Sequence, residues 1–241
     1  MYEHAYPAEV IRGRNDRSHL RDRPTRPAGA GRPLGLAGLC LLALALLWAL
    51  AELVPAIQVR DAVLLHDLTL LNGPSVESAG NTLLNLLEPI RFTIWGAVLV
   101  AAALARGLPR VALAVVAVLG LAPLSAETLK PLLAHAHATV GGVHIGPASW
   151  PSGHATAALA LVLCAVLVAP ARLRGLVAVL GALFAAAVGV ALLILAWHMP
   201  SDVLGGYLLA MLWGVLAVAA LRAAERRWPS RPPTPHLPGE A

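Results

Sequence analysis

The residues whose types and spacing suit chemistry are Pro151-Ser152-Gly153-His154 and, 44 residues after that histidine, His198, with Asp202 four positions further on. Each cluster lies in a short break between strongly apolar runs. Ser152, Gly153 and His154 directly precede an apolar helix, whose unpaired N–H groups and positive dipole end make an anion site. Gly153 lets an oxyanion approach the backbone closely, and Ser152 can cap the helix or donate to the same anion. Proline favours the first helical position, so Pro200 predicts His198 just before a helix and Asp202 in its first turn. A carboxylate there can accept from one imidazole nitrogen, fixing the tautomer and leaving the other free to attack. The same residues also fit plain structural roles: Ser152 as an N-cap, Asp202 as a first-turn acid favoured by the dipole, His198 as an interfacial histidine. Lys130 is the only lysine among 18 basic residues. It offers an ammonium at the end of a neighbouring run, or snorkels there beside Glu127.

The elements that must position these groups are membrane helices. Of 241 residues, 58% are hydrophobic and 13% charged, which excludes an ordinary soluble domain. The apolar stretches are continuous, not alternating, which favours helices over a barrel. Six runs stand out: Leu34 to Val54, Ile90 to Ala105, Val111 to Ala126, Ala155 to Ala169, Leu176 to Trp197, and Val203 to Leu221. A span needs about 20 residues, so the three shorter runs must borrow a turn from their flanks. The first run is longer than a signal-peptide core and reads as a retained anchor. Cys40 and Cys164 fall inside runs and read as small apolar residues.

Charge gives the orientation. Fifteen of the 18 basic residues precede the first run, follow the sixth, or lie between the second and third or the fourth and fifth. Only Arg60, Arg91 and Lys130 lie on the other side, so the positive-inside rule predicts cytoplasmic termini. The expected architecture is an all-α membrane protein: a six-transmembrane-helix bundle over 34–221, with a disordered basic tail at 1–33 and a cytoplasmic tail at 222–241, disordered from Pro229. Residues 55–89 form an external loop or lid, with short amphipathic segments at Leu64 to Leu71 and Leu83 to Leu87 split by Asn72-Gly73-Pro74. The pI near 10 reflects topology and anionic lipid, and no nucleic-acid partner is expected, because the basic tails carry no interleaved aromatics.

Lys130, Pro151-Ser152-Gly153-His154 and His198-x-x-x-Asp202, in this order on a six-span frame, resemble the type 2 phosphatidic acid phosphatase (PAP2) superfamily. The likeness runs from about Val111 to Leu221. It implies a cofactor-free, metal-independent phosphatase or phosphotransferase acting on a lipid-linked phosphate or diphosphate, with a phospholipid or polyprenyl phosphate as substrate, and the charge count puts that site at the outer face of the plasma membrane. By that resemblance His198 is the nucleophile that forms a phosphohistidine and Asp202 its orienting base. His154 protonates the leaving alkoxide and later activates water, while Lys130, Ser152 and the Gly153 amide hold the phosphoryl oxygens.

The chain departs from the family pattern twice. The first motif's Arg-Pro is His137-Ala138 here, and the Ser-Arg that opens the third motif is Ala191-Leu192. Loss of one preorganised oxyanion donor slows turnover by about 10²–10³. His137 stands where one arginine is missing and is expected to bind substrate in its place, with His135, His144 and Arg91 as neighbouring cations. A catalytically impaired lipid-binding or scaffold protein on the same frame is the competing expectation. A third is an external metal site of His135, His137, His144, His154 and His198, for which no HExxH or cysteine ligand set appears.

Overall fold

A computed structural model describes residues 31–229. The disorder expected at 1–33 and 229–241 falls outside the described residues, except for residues 31–33 and Pro229. Eight α-helices make up the described chain: α1 Gly31–Leu53, α2 Pro55–Thr69, α3 Pro74–Asn85, α4 Pro89–Ala105, α5 Pro109–Leu132, α6 Gly153–Val168, α7 Arg174–Ile194 and α8 Pro200–Arg227. Five of them open on a proline, whose fixed φ suits the first helical position and whose missing N–H would have had no partner there.

All six apolar runs are helical. α1, α5, α7 and α8 are each long and apolar enough to cross a membrane. α3 and α4, bent by 52° at their junction, pass the same test together, and α6 is a shorter apolar helix of 16 residues. Several boundaries differ from expectation: α1 already begins at Gly31, inside the tail expected to be disordered, α5 runs on past Ala126 to Leu132, and α7 stops at Ile194, short of Trp197. α8 continues past Leu221 to Arg227, because Ala223, Ala224 and Arg226 are good helix formers and cations favour a helix C-terminus. In the 55–89 region the helices begin at Pro55 and Pro74, earlier than the apolar segments suggested, since proline rather than apolar content sets the start.

α6 lies at the centre, against α5, α7 and α8, while α8 also meets α1 and α5. Half of the 16 residues of α6 are buried and most of these are small, among them Ala155, Thr156, Ala158, Ala160 and Cys164. Small residues let the backbones approach, as expected where lipid removes the hydrophobic drive for helix association. At Gly206 of α8 a neighbouring backbone itself comes close. A Cβ there would lie 2.5 Å from the Ser152 carbonyl oxygen and 2.9 Å from the Ala155 Cβ. Large apolar side chains such as Leu39, Leu46, Leu113, Val116, Val179 and Leu183 point outward from the bundle, as lipid-facing positions should. α2 and α3 pack beside α1, α7 and α8 and cover the end of the bundle where the chemistry-bearing breaks lie.

Candidate active site

Two breaks, between α5 and α6 and between α7 and α8, meet at that end with the close of α5. The break between α7 and α8 begins with a Schellman turn: Trp197 N donates to Leu192 O at 2.9 Å and Ala196 N to Leu193 O at 3.0 Å. Ala196 occupies the left-handed position, φ 53°, that glycine usually fills. The turn delivers His198 just ahead of α8, with Pro200 at the first helical position and Asp202 in the first turn. Asp202 Oδ2 accepts from Met199 N at 2.9 Å and lies 3.3 Å from His198 Nδ1. Nε2 of His198 has no hydrogen bond among the described residues.

The second break precedes α6. Ser152 caps it, accepting from Ala155 N at 3.3 Å, and its carbonyl accepts from Thr156 Oγ1 at 2.8 Å. Ser152 N donates to the Asp202 carbonyl at 2.9 Å. That backbone bond, beside the Gly206 contact, locks the start of α6 to the first turn of α8. His154 meets Trp197 edge to face, ring centroids 5.6 Å apart. Its electrostatic neighbours are His198, Glu88, Lys130 and Glu127. The two imidazoles singled out from sequence are thus near enough to feel each other's charge.

Lys130 ends α5 beside them. Its ammonium donates to Glu127 Oε1 at 2.7 Å, the i,i+3 pairing read from sequence. A Cβ on Gly153 would lie 2.8 Å from that carboxylate oxygen and 3.6 Å from Lys130 Nζ. The Glu127 carboxylate thus sits over the N-terminus of α6, where an anion is favoured.

The loop between α5 and α6 reaches the site by a tight turn. Val143 N donates to Val140 O at 3.1 Å across Gly141 and Gly142, whose φ values of 59° and 78° require glycine-like freedom. The Gly141 backbone lies against the His66 ring of α2, with no space for a side chain. Ala62 and Leu65 of α2, Ile145 of the loop and Met199 then form one buried cluster. From α2, Asp61 accepts from Ser201 Oγ at 2.6 Å and from Ser201 N at 3.2 Å, satisfying an orphan N–H of α8 from a distant element. Burial pushes the Asp61 carboxyl above the usual carboxylate range, while the Ser201 bonds pull the other way.

His137 arrives with this loop, but on the Asp202 side. Its Nε2 lies 2.9 Å from Ser149 Oγ and its Nδ1 3.7 Å from Glu52 Oε2. Among the described residues, Glu52, His137 and Asp202 are the group whose ligand atoms lie close enough to hold a metal, within 4.8 Å of one another. The other cations suggested from sequence are elsewhere: His135 and His144 are exposed, and Arg91 Nη1 donates to Asn85 O at 2.7 Å. Leu192, where the second family arginine is missing, is fully buried among Leu84, Val188 and Val203. No donor replaces it from that position.

Sequence reasoning missed Glu52, Asp61, Ser149 and Ser201. For Glu52 a signal existed: a carboxylate inside an apolar span is a functional candidate by default. Asp61 and Ser201 are 140 positions apart, and nothing local announces their bond.

The PAP2 superfamily matches residues 39–226. Among solved structures, a transmembrane PAP2-type phosphatidylglycerolphosphate phosphatase from Bacillus subtilis superposes with a TM-score of 0.68 at 21% identity, over 79% of this chain and 98% of that one. No curated protein sequence matches. With several membrane-length helices and this fold, the protein is an integral membrane protein, and its chain belongs to the PAP2 superfamily.

Proposed function

We propose that the protein is a membrane phosphatase that hydrolyses a lipid-linked phosphate or diphosphate through a phosphohistidine. The supporting observation is the His198–Asp202 pair at 3.3 Å, joined by the Ser152 N–Asp202 O bond to the anion-binding start of α6. Asp202 holds a proton on His198 Nδ1, so Nε2 carries the lone pair that attacks phosphorus. As the N–P bond forms, the bond from phosphorus to the lipid oxygen breaks and His154 gives that oxygen its proton. Water then attacks the phosphohistidine, His154 takes back a proton, and phosphate leaves with His198 restored. Lys130, the Ser152 hydroxyl and the Gly153 amide hold the phosphoryl oxygens, once the incoming phosphate displaces the Glu127 carboxylate. His137, engaged by Ser149 and facing Glu52, supports Asp202 in place of contacting the phosphate.

The same reading has six spans, with α4 and α6 completing the count, cytoplasmic termini, tails outside the 34–221 bundle, and a site open to the outer leaflet of the plasma membrane. The arginine asymmetry supports it. A second reading, a lipid-binding protein without turnover, is favoured by one observation: Leu192 is buried in the core and offers no donor. Purified protein in detergent, given labelled phosphatidic acid, phosphatidylglycerol phosphate or a polyprenyl diphosphate and quenched in alkali, distinguishes them. The phosphatase retains label on His198 and releases phosphate, and His198→Ala does neither. Lipid binding with no label and no phosphate supports the second reading.

A further inference from the structure

Glu52 is the least expected charged group in the molecule. It lies one position from the end of a membrane helix, 1% exposed, and both carboxylate oxygens lack a hydrogen bond among the described residues. Asp202, wholly buried, leaves Oδ1 equally without a partner while Oδ2 is held by Met199 N. Burying one unpaired carboxylate is costly, and two within 4.8 Å of each other repel as well. A cation between them would offset both costs. His137 faces the same space: Nδ1 points to Glu52 while Nε2 meets Ser149 Oγ at 2.9 Å. A ring with one nitrogen fixed by an outer partner and the other presented to carboxylates is the usual arrangement of a metal-bound histidine.

We propose that Glu52, His137 and Asp202 hold a divalent transition-metal ion such as Zn²⁺. Two carboxylates and a neutral imidazole balance a dication and suit zinc or manganese. Ligand bonds of about 2.0–2.2 Å need the three atoms to close in by roughly 1 Å from their present spread. The ion ties α1, the α5–α6 loop and α8 together. Asp202 reaches the ion through Oδ1, the oxygen that His198 and Met199 leave free. This site differs from the all-histidine site considered from sequence, since His135 and His144 are exposed. It also adds a structural ion to a reaction expected to need no metal.

The full-length protein, purified in detergent and dialysed against a chelator, is titrated with Zn²⁺ by calorimetry and with Co²⁺ by visible absorption. No substrate is involved, so an inactive protein tests the site equally well. One ion per chain and a raised unfolding temperature are expected. Glu52→Gln and His137→Gln should each weaken binding by roughly 100-fold or more, and Ser149→Ala by about 10-fold through the outer hydrogen bond. Absence of saturable binding to the wild-type protein overturns the proposal, whether or not the variants fold. Equal affinity in wild type, Glu52→Gln and His137→Gln also overturns it, because the exposed histidines would then hold the ion.

Discussion

At one end of the bundle the carbonyls left over at helix C-termini are met by arginines. Arg106 Nη1 donates to Val168 O, Arg174 Nε to Ala169 O at 3.2 Å, and Arg110 Nη2 to Trp228 O at 2.6 Å, with Arg110 Nη1 also 2.8 Å from Glu225. These charges are partly solvated and contribute little individually. At the opposite end, polar groups are buried: Ser152, His198, Ser201, Asp202 and Glu52. There the bonds are specific, three carboxylate oxygens of Glu52 and Asp202 lack partners, and helices touch with no room for a methyl group. The arginine end resembles a surface solution to helix termination and orientation. The other end concentrates costly groups that stability alone does not call for, and such groups mark sites of function.

The comparison breaks most sharply at His198. If the buried end does chemistry, His198→Ala lowers phosphate release by roughly 10³-fold or more, since the other groups cannot replace a nucleophile. The unfolding temperature should stay close to wild type. Phosphate assay and thermal circular dichroism on one preparation check both; a large fall in stability with activity preserved would reverse the assignment. Next in size is Gly206→Ala. Its methyl would fall 2.5 Å from the Ser152 carbonyl oxygen, a backbone atom that cannot turn aside. Overpacking of this kind costs about 1–3 kcal/mol, and here it also pushes the start of α6 from Asp202. Stability and kcat should therefore fall together.

How much of this was readable beforehand follows from how local each feature is. His198 and Asp202 are four apart around a proline that fixes where α8 starts, so their pairing was legible. So were the Ser152 cap and the Glu127–Lys130 pair, each within three residues. The six apolar runs gave the helices, although the α8 terminus at Arg227 was misplaced because hydropathy ends before helical propensity does. Long-range geometry was not legible. His137 looked like a stand-in for a phosphate-binding arginine, yet Ser149 and Glu52 engage it from the Asp202 side, and Glu52 is 85 positions away in the chain. Nothing local marks Gly206, and only the approach of α6 gives it meaning.

A smaller effect, opposite in sign, tests whether the buried end holds strain. Ala196 adopts φ 53° to complete the turn that presents His198. A left-handed alanine costs about 1 kcal/mol relative to glycine, partly offset by the extra freedom glycine has when unfolded. Ala196→Gly should raise stability by about 0.5–1 kcal/mol, read as a higher unfolding temperature in detergent. If stability falls instead, the conformation of the turn is held by Trp197 and its neighbours and not by the cap.

The smallest expected change is at the arginine end. Arg110→Gln removes a 2.8 Å ion pair to Glu225 and a bond to Trp228 O, with the two side chains 40% and 55% exposed. An exposed pair of this kind contributes about 0–1 kcal/mol, because water and salt screen it and two long side chains must be ordered to form it. Glutamine keeps a donor for the Trp228 carbonyl. Unfolding temperature and phosphate release should both stay near wild type, and raising salt should move the two proteins alike. A fall in turnover with stability unchanged would mean that the two ends communicate through α8. The helix starts at Pro200 beside the candidate nucleophile and ends at Arg227 beside this pair, so it is the element through which such coupling would have to pass.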